Sequence, residues 1–431
     1  MQNRWDPKEA AALGNDSLAL RVYSSRLLGA EPDLVLHGGG NTSVKDRRAD
    51  FFGEETDLIF VKGSGWDLGT IEPAGFAPVR MQPLLKMAEL VELSDSDMVR
   101  EQRASMTDPD APTPSIEAIL HAIIPGKFVD HTHADAVVAL SNNPDGEERV
   151  RQLYGDRVLV VPYVMPGFIL AKTVYELTRG VDWSTLDGMV LMNHGIFTWG
   201  DDAKSSYDQM IALVSKAEEA HASCTVATAG PADDEGDLLA LASIRKAVSD
   251  QRGSAVLALW DSSPEAVGFS SIEGVGDLAT RGPLTPDHVI RTKRTAAILT
   301  GDDPAAGVEA FAADYEEYFA RHAGGELTML DPAPRWAVWS GKGTLAFESS
   351  IKGAGIVGDL VEHTIKGIQW GEDLGGWKAL PEKDIFDIEY WELEQAKLKK
   401  GGATKPLQGK IALATGAAAG IGRACAEALY E

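Results

Sequence analysis

Two short histidine motifs offer the residue types of a metal centre. His131 and His133 stand two apart at the end of the strand-like segment 127–132, and residues with that spacing on an extended chain point to the same side. His194 follows the apolar segment 189–192 and precedes a glycine that permits a sharp turn. Because a catalytic zinc site commonly has three protein ligands and one open position, His194 is the candidate third ligand. A pair of surface or hydrogen-bonded histidines is the alternative for the first motif.

An acidic residue precedes the histidine pair on a predicted helix. Thr113 and Pro114 are typical of the N-cap and the first position of a helix. Glu117 then lies in the first turn, where a carboxylate complements the helix dipole. His121 lies one turn further on the same face, where we expect it to be structural or to support a ligand.

Two glycine-rich loops each follow an apolar segment. The loop at 37–43 contains Asn41 and Ser43, and the loop at 62–66 contains Lys62, Ser64 and Gly65. Their exposed backbone N–H groups, their hydroxyls and one ammonium are suited to holding a phosphate or a carboxylate. Ordinary tight turns are the alternative interpretation of each loop.

The segments around these motifs alternate between strand-like and helix-like patterns, which predicts a layered α/β fold with a sheet flanked by helices. Helices are predicted at 15–28, 81–93 and 202–227, and buried strands at 58–62, 127–132 and 189–192. Asp201 or Asp202 is the expected N-cap of the third helix.

Composition shifts divide the chain into five predicted regions. They are a metal-binding domain at 1–227, a linker at 228–236, a second α/β region at 237–390, a charged helix and connector at 391–406, and the start of a further domain at 407–431. The second region contains a weak sequence repeat of the first. Its segment 338–345 resembles 190–197, with Lys342 in the place of His194. Degenerate duplication is one explanation of this similarity, and strand–turn–helix units that arose independently are the alternative.

The composition narrows the class of protein. The 431 residues are 44% hydrophobic and 24% charged, and their formal net charge of −25 disfavours nucleic acid and membrane surfaces as partners. No apolar run reaches the roughly 18 residues of a membrane-spanning helix. Two cysteines and the absence of a signal-like N-terminus predict a cytoplasmic protein.

The order of the motifs resembles the class II, zinc-dependent sugar-phosphate aldolase and epimerase family. The resemblance covers 34 to about 200. It rests on a Gly-Asn-Thr-Ser loop, a Gly-Ser-Gly loop, a Ser-X-Glu segment, His-X-His, a Tyr-Val-Met-Pro-Gly segment beginning at Tyr163, and Asn-His-Gly. The longer phrases around these motifs resemble the bifunctional branch that joins a rhamnulose-1-phosphate aldolase to a short-chain dehydrogenase.

The resemblance implies a role for each matching residue. His131, His133 and His194 would bind zinc, or another divalent metal, and Glu117 would move the proton. The implied phosphate contacts are Asn41, Ser43, Ser64, Gly65 and Ser115. Simpler family members have Ser-Ser-Glu where this chain has Ser-Ile-Glu, so one phosphate hydroxyl is missing, and Lys62 is the candidate replacement.

The implied reaction is aldol cleavage of a ketose 1-phosphate, similar to rhamnulose 1-phosphate, into dihydroxyacetone phosphate and a small aldehyde. Zinc would stabilise the enediolate, and the family's active sites between subunits imply a homo-oligomer. Sugar-phosphate epimerases share the same site, so epimerisation is one alternative. A non-catalytic sugar-phosphate binder is the other.

The last region resembles the opening of a short-chain dehydrogenase, a strand followed by a glycine-rich turn and a helix. The implied cofactor-binding residues are Thr415, Gly416, Gly420, Ile421 and Gly422. Because only one strand and part of one helix are present, we expect a truncated Rossmann domain. NAD binding, and oxidation or reduction of the aldehyde, are expected only of a longer parent chain.

Overall fold

The computed structural model describes residues 1–230, 237–325, 327–399 and 405–430. The chain divides into two compact units, each containing one sheet with helices. Unit 1 comprises Met1–Thr225, Leu284–Asp287 and Lys366–Ile388, and unit 2 comprises Val226–Pro283, His288–Ile365 and the described part of Glu389–Glu431. The predicted α/β class is confirmed. Two segments of the predicted region 237–390 belong to unit 1.

The seven strands of unit 1 are β1 Asn41–Ala49, β2 Glu55–Lys62, β3 Phe76–Arg80, β4 Phe128–Thr132, β5 Val158–Val161, β6 Gly188–Leu191 and β7 Gly195–Gly200. They form one mixed sheet in the order β3-β2-β1-β4-β7-β6-β5. Only the β5–β6 pair is parallel among these seven strands. Strand β4, which contains His131 and precedes His133, therefore lies beside β7, which directly follows His194.

Helices cover both faces of this sheet. They are α1 Pro7–Ala12, α2 Ser17–Gly29, α3 Met81–Glu89, α4 Asp95–Ala104, α5 Ala118–Ile123, α6 Asp135–Ser141, α7 Gly146–Tyr154, α8 Phe168–Leu177 and α9 Ala203–Ala220. One hydrophobic core includes side chains of α3, α5 and α8, and another includes those of α6, α7 and α9. Alternation along β6 serves both: Met189 and Leu191 pack in the first core and Val190 in the second.

Two of the predicted helices end earlier than expected. Helix α3 ends at Glu89, because Leu90 has an extended backbone. Helix α9 ends at Ala220, because the chain turns at His221, whose Nε2 lies 2.8 Å from the Ala136 carbonyl oxygen. The predicted N-cap of α9 is present, since the Asp202 side chain accepts a hydrogen bond from the Ser205 N–H at 2.9 Å.

The predicted helix start at Thr113 and Pro114 is wrong. Pro114 pairs with Gly63 in an isolated β-bridge, and the Ser115 N–H donates to the Lys62 carbonyl oxygen at 2.9 Å. These backbone contacts hold the segment beside the second glycine-rich loop. Helix α5 consequently begins only at Ala118, with Glu117 at the N-cap position.

Unit 2 contains a four-stranded sheet of β8 Leu257–Asp261, β9 Ala297–Leu299, β10 Trp336–Trp339 and β11 Gly343–Glu348, in the order β8-β11-β10-β9. The remaining helices are α10 Leu238–Arg252, α11 Pro264–Ser270, α12 Val275–Leu278, α13 Val289–Thr292, α14 Ala306–His322, α15 Ile351–Asp373, α16 Glu382–Glu389, α17 Glu392–Lys399 and α18 Gly420–Tyr430. Helix α15 begins in unit 2 and belongs to unit 1 from Lys366, and α16 belongs to unit 1 up to Ile388.

The sheet of unit 2 repeats half of the sheet of unit 1. In β8-β11-β10-β9 the first two pairs are antiparallel and the last is parallel, as in β4-β7-β6-β5. Strands β6 and β7 and helix α9 each begin 148 residues before β10, β11 and α15. The turn residue Asn193, with φ 61°, corresponds to Gly341, with φ 69°. The shared order and spacing support the duplication hypothesis.

The strand expected at the start of the last region is absent. Ile411 and Leu413 are 70% and 93% exposed, and no strand of either sheet pairs with them in the described part of the chain. A strand without a neighbour has no hydrogen-bond ladder to stabilise it. The glycine-rich turn does form and leads into α18, where a Cβ on Gly422 in the first helical turn would lie 2.4 Å from the Gly416 carbonyl oxygen. Of the expected linkers, 231–236 and 400–404 lie outside the described residues.

Candidate metal centre

Three histidines converge at the end of β4 and at the β6–β7 turn. The ring centroids of His131, His133 and His194 lie 4.8–5.1 Å apart. One ring nitrogen of each lies within 4.8 Å of the others, and the Nε2 atoms of His131 and His133 are 3.1 Å apart. The structure therefore brings together the three side chains that the sequence singled out.

The sheet and the tight turn fix this convergence. His131 is opposite Phe197 in the β4–β7 ladder and stacks on its ring at 4.1 Å. Asn193 occupies the left-handed region, and its side-chain amide donates to Asn142 Oδ1 at 2.8 Å. Asn tolerates this conformation better than most residues, so the turn that presents His194 is locally encoded.

The chemistry of the donor set fits a divalent metal. His131 Nδ1 lies 3.1 Å from the Ile196 carbonyl oxygen. A proton on Nδ1 satisfies this contact and leaves the Nε2 lone pair for an ion. Burial holds the pKa values of His131 and His133 well below the ordinary value, which keeps both rings neutral as metal ligation requires.

Glu117 lies beside the histidines and is held by an amide. Its Oε2 is 3.6 Å from His131 Nε2 and accepts a hydrogen bond from Asn41 Nδ2. The Asn41 amide oxygen contacts His121 Nε2, and His121 Nδ1 is 2.8 Å from Ser43 Oγ. This buried chain of contacts runs from β1 to α5 and fixes the carboxylate relative to the three histidines.

Asp287 is a further acidic group at the centre, and the sequence reasoning missed it. Its Oδ2 lies 3.4 Å from His194 Nε2 and 3.5 Å from His133 Nδ1. Burial acts to lower the pKa of His194, but the hydrogen bond and charge of Asp287 outweigh it and raise that pKa. Because Asp287 belongs to no motif and lies far from the other site residues in sequence, no local signal could have found it.

The two glycine-rich loops have different surroundings. The first packs tightly against the histidine strand, since a Cβ on Gly40 would lie 2.6 Å from the His131 carbonyl oxygen. In the second loop Ser64 is exposed and Gly65 has φ 87°. Lys62 is buried and its Nζ donates to the Gly38 carbonyl oxygen at 2.8 Å, which ties the loops together.

The repeat in unit 2 lacks the three histidines. Strand register and the common spacing place Trp260 where β4 has His131, Ser262 where it has His133, and Lys342 where unit 1 has His194. Trp260 Nε1 donates to the Lys342 carbonyl oxygen at 2.9 Å. An indole, a hydroxyl and an ammonium do not make a zinc site, so of the two repeats only the one in unit 1 presents this centre.

Two family models match the chain. "Class II Aldolase and Adducin N-terminal domain" matches residues 20–221, and "Aldolase class II, second domain" matches 236–398. Together they cover most of the sequence. The first contains all of the residues of the centre except Asp287, which lies in the second.

Individual proteins are similar as well. "Uncharacterized oxidoreductase YuxG" of Bacillus subtilis (strain 168) is 32% identical over 443 residues, which cover 97% of this chain. The chain spans 63% of the length of that relative. The N-terminal class II aldolase domain of a conserved protein from Thermoplasma acidophilum is 42% identical, covering 51% of this chain and 98% of that domain, with a TM-score of 0.46. L-fuculose-1-phosphate aldolase from Thermus thermophilus is 19% identical, covering 47% of this chain and 92% of that one, with a TM-score of 0.30.

The helices show no sign of a membrane span. Within the described ranges, none combines the length and the apolar character that crossing a bilayer demands.

Proposed function

The chain belongs to the class II aldolase family, and from that premise we propose that it is a metal-dependent lyase that cleaves a ketose 1-phosphate. The products would be dihydroxyacetone phosphate and a small aldehyde, as expected of the rhamnulose-1-phosphate branch. The observation that carries the proposal is the convergence of His131, His133 and His194 beside the buried carboxylate of Glu117.

The three histidines would hold the metal ion. Three neutral imidazoles suit zinc and leave a coordination position for substrate. When bound, the ion supplies Lewis-acid stabilisation of the negative charge that develops on the substrate oxygens. Asp287 would support the ligands, because a carboxylate beside a metal-binding imidazole orients the ring and strengthens its donation.

Glu117 would move the proton. Breaking the carbon–carbon bond leaves an electron pair on the carbon that has lost its partner, and a proton must reach that carbon before the ketone product leaves. Glu117 is 5% exposed, and its Oε1 has no hydrogen-bond partner among the described residues. Because Asn41 holds Oε2, Oε1 is the oxygen that can exchange a proton with the substrate.

The second glycine-rich loop and its neighbour would hold the phosphate. Ser64 is exposed, Gly65 offers its backbone, and Ser115 lies next to that loop through its hydrogen bond to Lys62. Ser43 is fully buried against His121, so we assign it and Asn41 positioning roles in place of the phosphate contacts expected from sequence. The Lys62 ammonium would add positive electrostatic potential that attracts the phosphate to the two loops.

A cleavage assay with a panel of ketose 1-phosphates tests the proposal. We expect release of dihydroxyacetone phosphate that stops on chelation and returns on addition of zinc. Conversion to an isomeric sugar phosphate without cleavage would favour the epimerase. Substrate binding without turnover in metal-loaded protein would favour the non-catalytic binder. Sedimentation of active protein tests the expected homo-oligomer, and an active monomer would contradict it.

A second proposal concerns a longer protein that contains this chain. Gly416 lies in the turn before α18, and Gly420 and Gly422 lie in the first turn of that helix. Such a turn and helix start can receive a pyrophosphate in a complete Rossmann fold. The name of the Bacillus relative, an oxidoreductase, is consistent with this proposal. A longer protein of this kind would use NAD to oxidise or reduce the aldehyde that cleavage releases. Dinucleotide titration of such a protein tests it.

A further inference from the structure

We infer that unit 2 carries a second binding site, which takes a small hydroxylated anion such as a hydroxycarboxylate or a polyol phosphate. The site is a cavity of about 220 Å³ that shares no lining residue with the metal centre. It lies at the Glu348 end of β11, the opposite end from the turn at Lys342. The inference stands on three polar side chains that line the cavity and on their partners.

Lys293 is the first of these side chains. It is 3% exposed, and its Nζ has no hydrogen-bond partner among the described residues. The Nζ lies 3.5 Å from Glu389 Oε1 and 3.7 Å from the centroid of the Tyr315 ring. A buried ammonium has three N–H donors to satisfy. The cavity therefore offers N–H donors from which an anion could accept hydrogen bonds.

The backbone at Lys293 is also unusual. Its φ of 60° lies in the left-handed region, which residues other than glycine and asparagine seldom adopt. Two other non-glycine residues of the described chain share a positive φ, His37 and Asn193, and Asn193 directly precedes the candidate metal ligand His194. Strained backbone of this kind persists where the surrounding structure imposes it, and it clusters at ligand sites.

Arg252 supplies the second cationic donor. Its Nη2 donates to Glu348 Oε1 at 2.8 Å, while its buried Nη1 has no hydrogen-bond partner in the described ranges. Arg335 also lines the cavity, but both of its terminal nitrogens donate to Asp331, at 2.8 and 2.7 Å. Arg335 is therefore a wall of the cavity. Arg291 also lines it but is exposed, so Arg252 and Lys293 are the cations whose buried nitrogens are left to bind an anion.

Glu389 supplies the acceptor. Its Oε1 accepts a hydrogen bond from Tyr315 Oη at 2.9 Å, and Tyr315 Oη lies 2.7 Å from Tyr390 Oη. Its Oε2 is buried without a hydrogen-bond partner in the part of the chain that the structure describes. A carboxylate oxygen can only accept, so the ligand group facing it must be a donor such as a hydroxyl.

The size and charge of the cavity define the class of ligand. Two cationic donors and one acceptor fit a molecule that carries an anionic group and a hydroxyl, while Val289, Leu330 and Val357 provide apolar walls. The volume is below the roughly 300–1,000 Å³ of drug-sized pockets, which favours a molecule of a few carbons. The chain has a net charge of −25, so such a site would be a local region of positive potential on a negatively charged protein.

Calorimetric titration of the full chain carrying His131→Ala tests the inference, because this variant separates the new site from the metal centre. The probes are glycerate for the carboxylate class, glycerol 3-phosphate for the phosphate class, and propionate as an anion without a hydroxyl. We expect one of the hydroxylated probes to bind more tightly than propionate, and the tighter one identifies the class. Lys293→Met and Arg252→Gln should each weaken that binding by about tenfold or more, while the exposed Lys352→Met should leave it unchanged.

Two results would overturn the inference. One is the absence of heat from either hydroxylated probe at about 10 mM, far above the range of specific small-molecule sites. The other is unchanged affinity in a folded Lys293→Met or Arg252→Gln variant, with folding checked by circular dichroism. The Arg252→Gln variant keeps an amide that can donate to Glu348, so it covers the case in which Lys293→Met does not fold. Neither result bears on the lyase proposal.

Discussion

The side-chain amide of Asn41 donates a hydrogen bond to the carboxylate of Glu117. Asn41 lies at the start of β1, directly opposite His131 in the β1–β4 ladder. The register of β1 and β4 therefore helps to fix the distance between Glu117, the proposed proton carrier, and His131, a proposed metal ligand. The remaining oxygen of Glu117 is buried without a hydrogen bond among the described residues.

Replacing Glu117 by Gln should leave metal content unchanged and lower the rate of cleavage by about 10²–10⁴-fold, the usual contribution of a positioned acid–base group. The amide has nearly the same shape but cannot exchange the proton. Steady-state cleavage rates and elemental analysis of the same sample check this prediction. Glu101→Gln on the exposed face of α4 is the matched control. Near-wild-type turnover would return Glu117 to a structural role at the start of α5.

Replacing Asp287 by Asn should weaken metal binding by about 10–100-fold, as expected when a carboxylate that supports metal-ligating imidazoles is neutralised. The Asp287 carboxylate contacts His133 and His194, so its loss removes support from two of the three ligands. Competition with a chromophoric chelator measures the affinity, with the exposed Asp302→Asn as control. Equal affinities in the variant and the wild type would show that Asp287 has no part in the centre.

The convergence of the three histidines could be predicted from sequence because its signals are local. His131 and His133 share one strand, and a turn residue encodes the position of His194. The same holds for the sheet-flanked architecture, which follows from alternating strand and helix patterns. The weak sequence repeat at an offset of 148 residues was also informative, since two strands and a helix begin at matching positions in each unit.

What the sequence could not predict depends on contacts between distant segments. A threonine followed by proline is a good helix start, but Pro114 instead bridges to Gly63 and delays the helix to Ala118. Asp287 and Lys293 carry no motif, and only the tertiary fold gives them their partners. The prediction of a strand at the start of the last region was wrong for a related reason. A strand-like sequence needs a neighbouring strand to pair with.

Replacing Arg21 by Met should lower the free energy of unfolding by about 3–5 kcal/mol, the cost of leaving a buried charge without its partner. Arg21 is fully buried and pairs with Asp130 at 2.5 Å, next to the first metal ligand. Urea denaturation measures the change. Arg151→Met, at the exposed pair with Glu147, is the control and should cost only about 0–1 kcal/mol. Similar losses in the two variants would mean that burial of the first pair does not matter.

The stability of unit 1 should rise with pH above neutrality because of Lys45. Burial lowers the pKa of this lysine to about 7, from its ordinary value of 10.5. Between these values the unfolded chain binds more protons than the folded chain, so the free energy of unfolding increases with pH, by at most about 1.4 kcal/mol per pH unit. Lys45→Met should reduce this increase in urea denaturation at pH about 7 and about 9. Lys86→Met, at an exposed position, should retain it. An unaltered pH dependence in Lys45→Met would contradict the assignment.

Elemental analysis joined to a cleavage assay tests the central claim most directly. The wild-type chain, a His131→Ala variant and a control His322→Ala variant are purified under the same conditions and assayed with ketose 1-phosphates. We predict one divalent metal per chain, most simply zinc, with cleavage activity in the wild type and in His322→Ala, and loss of both metal and activity in His131→Ala. Full metal occupancy in His131→Ala, or cleavage that survives complete removal of metal, would contradict the account.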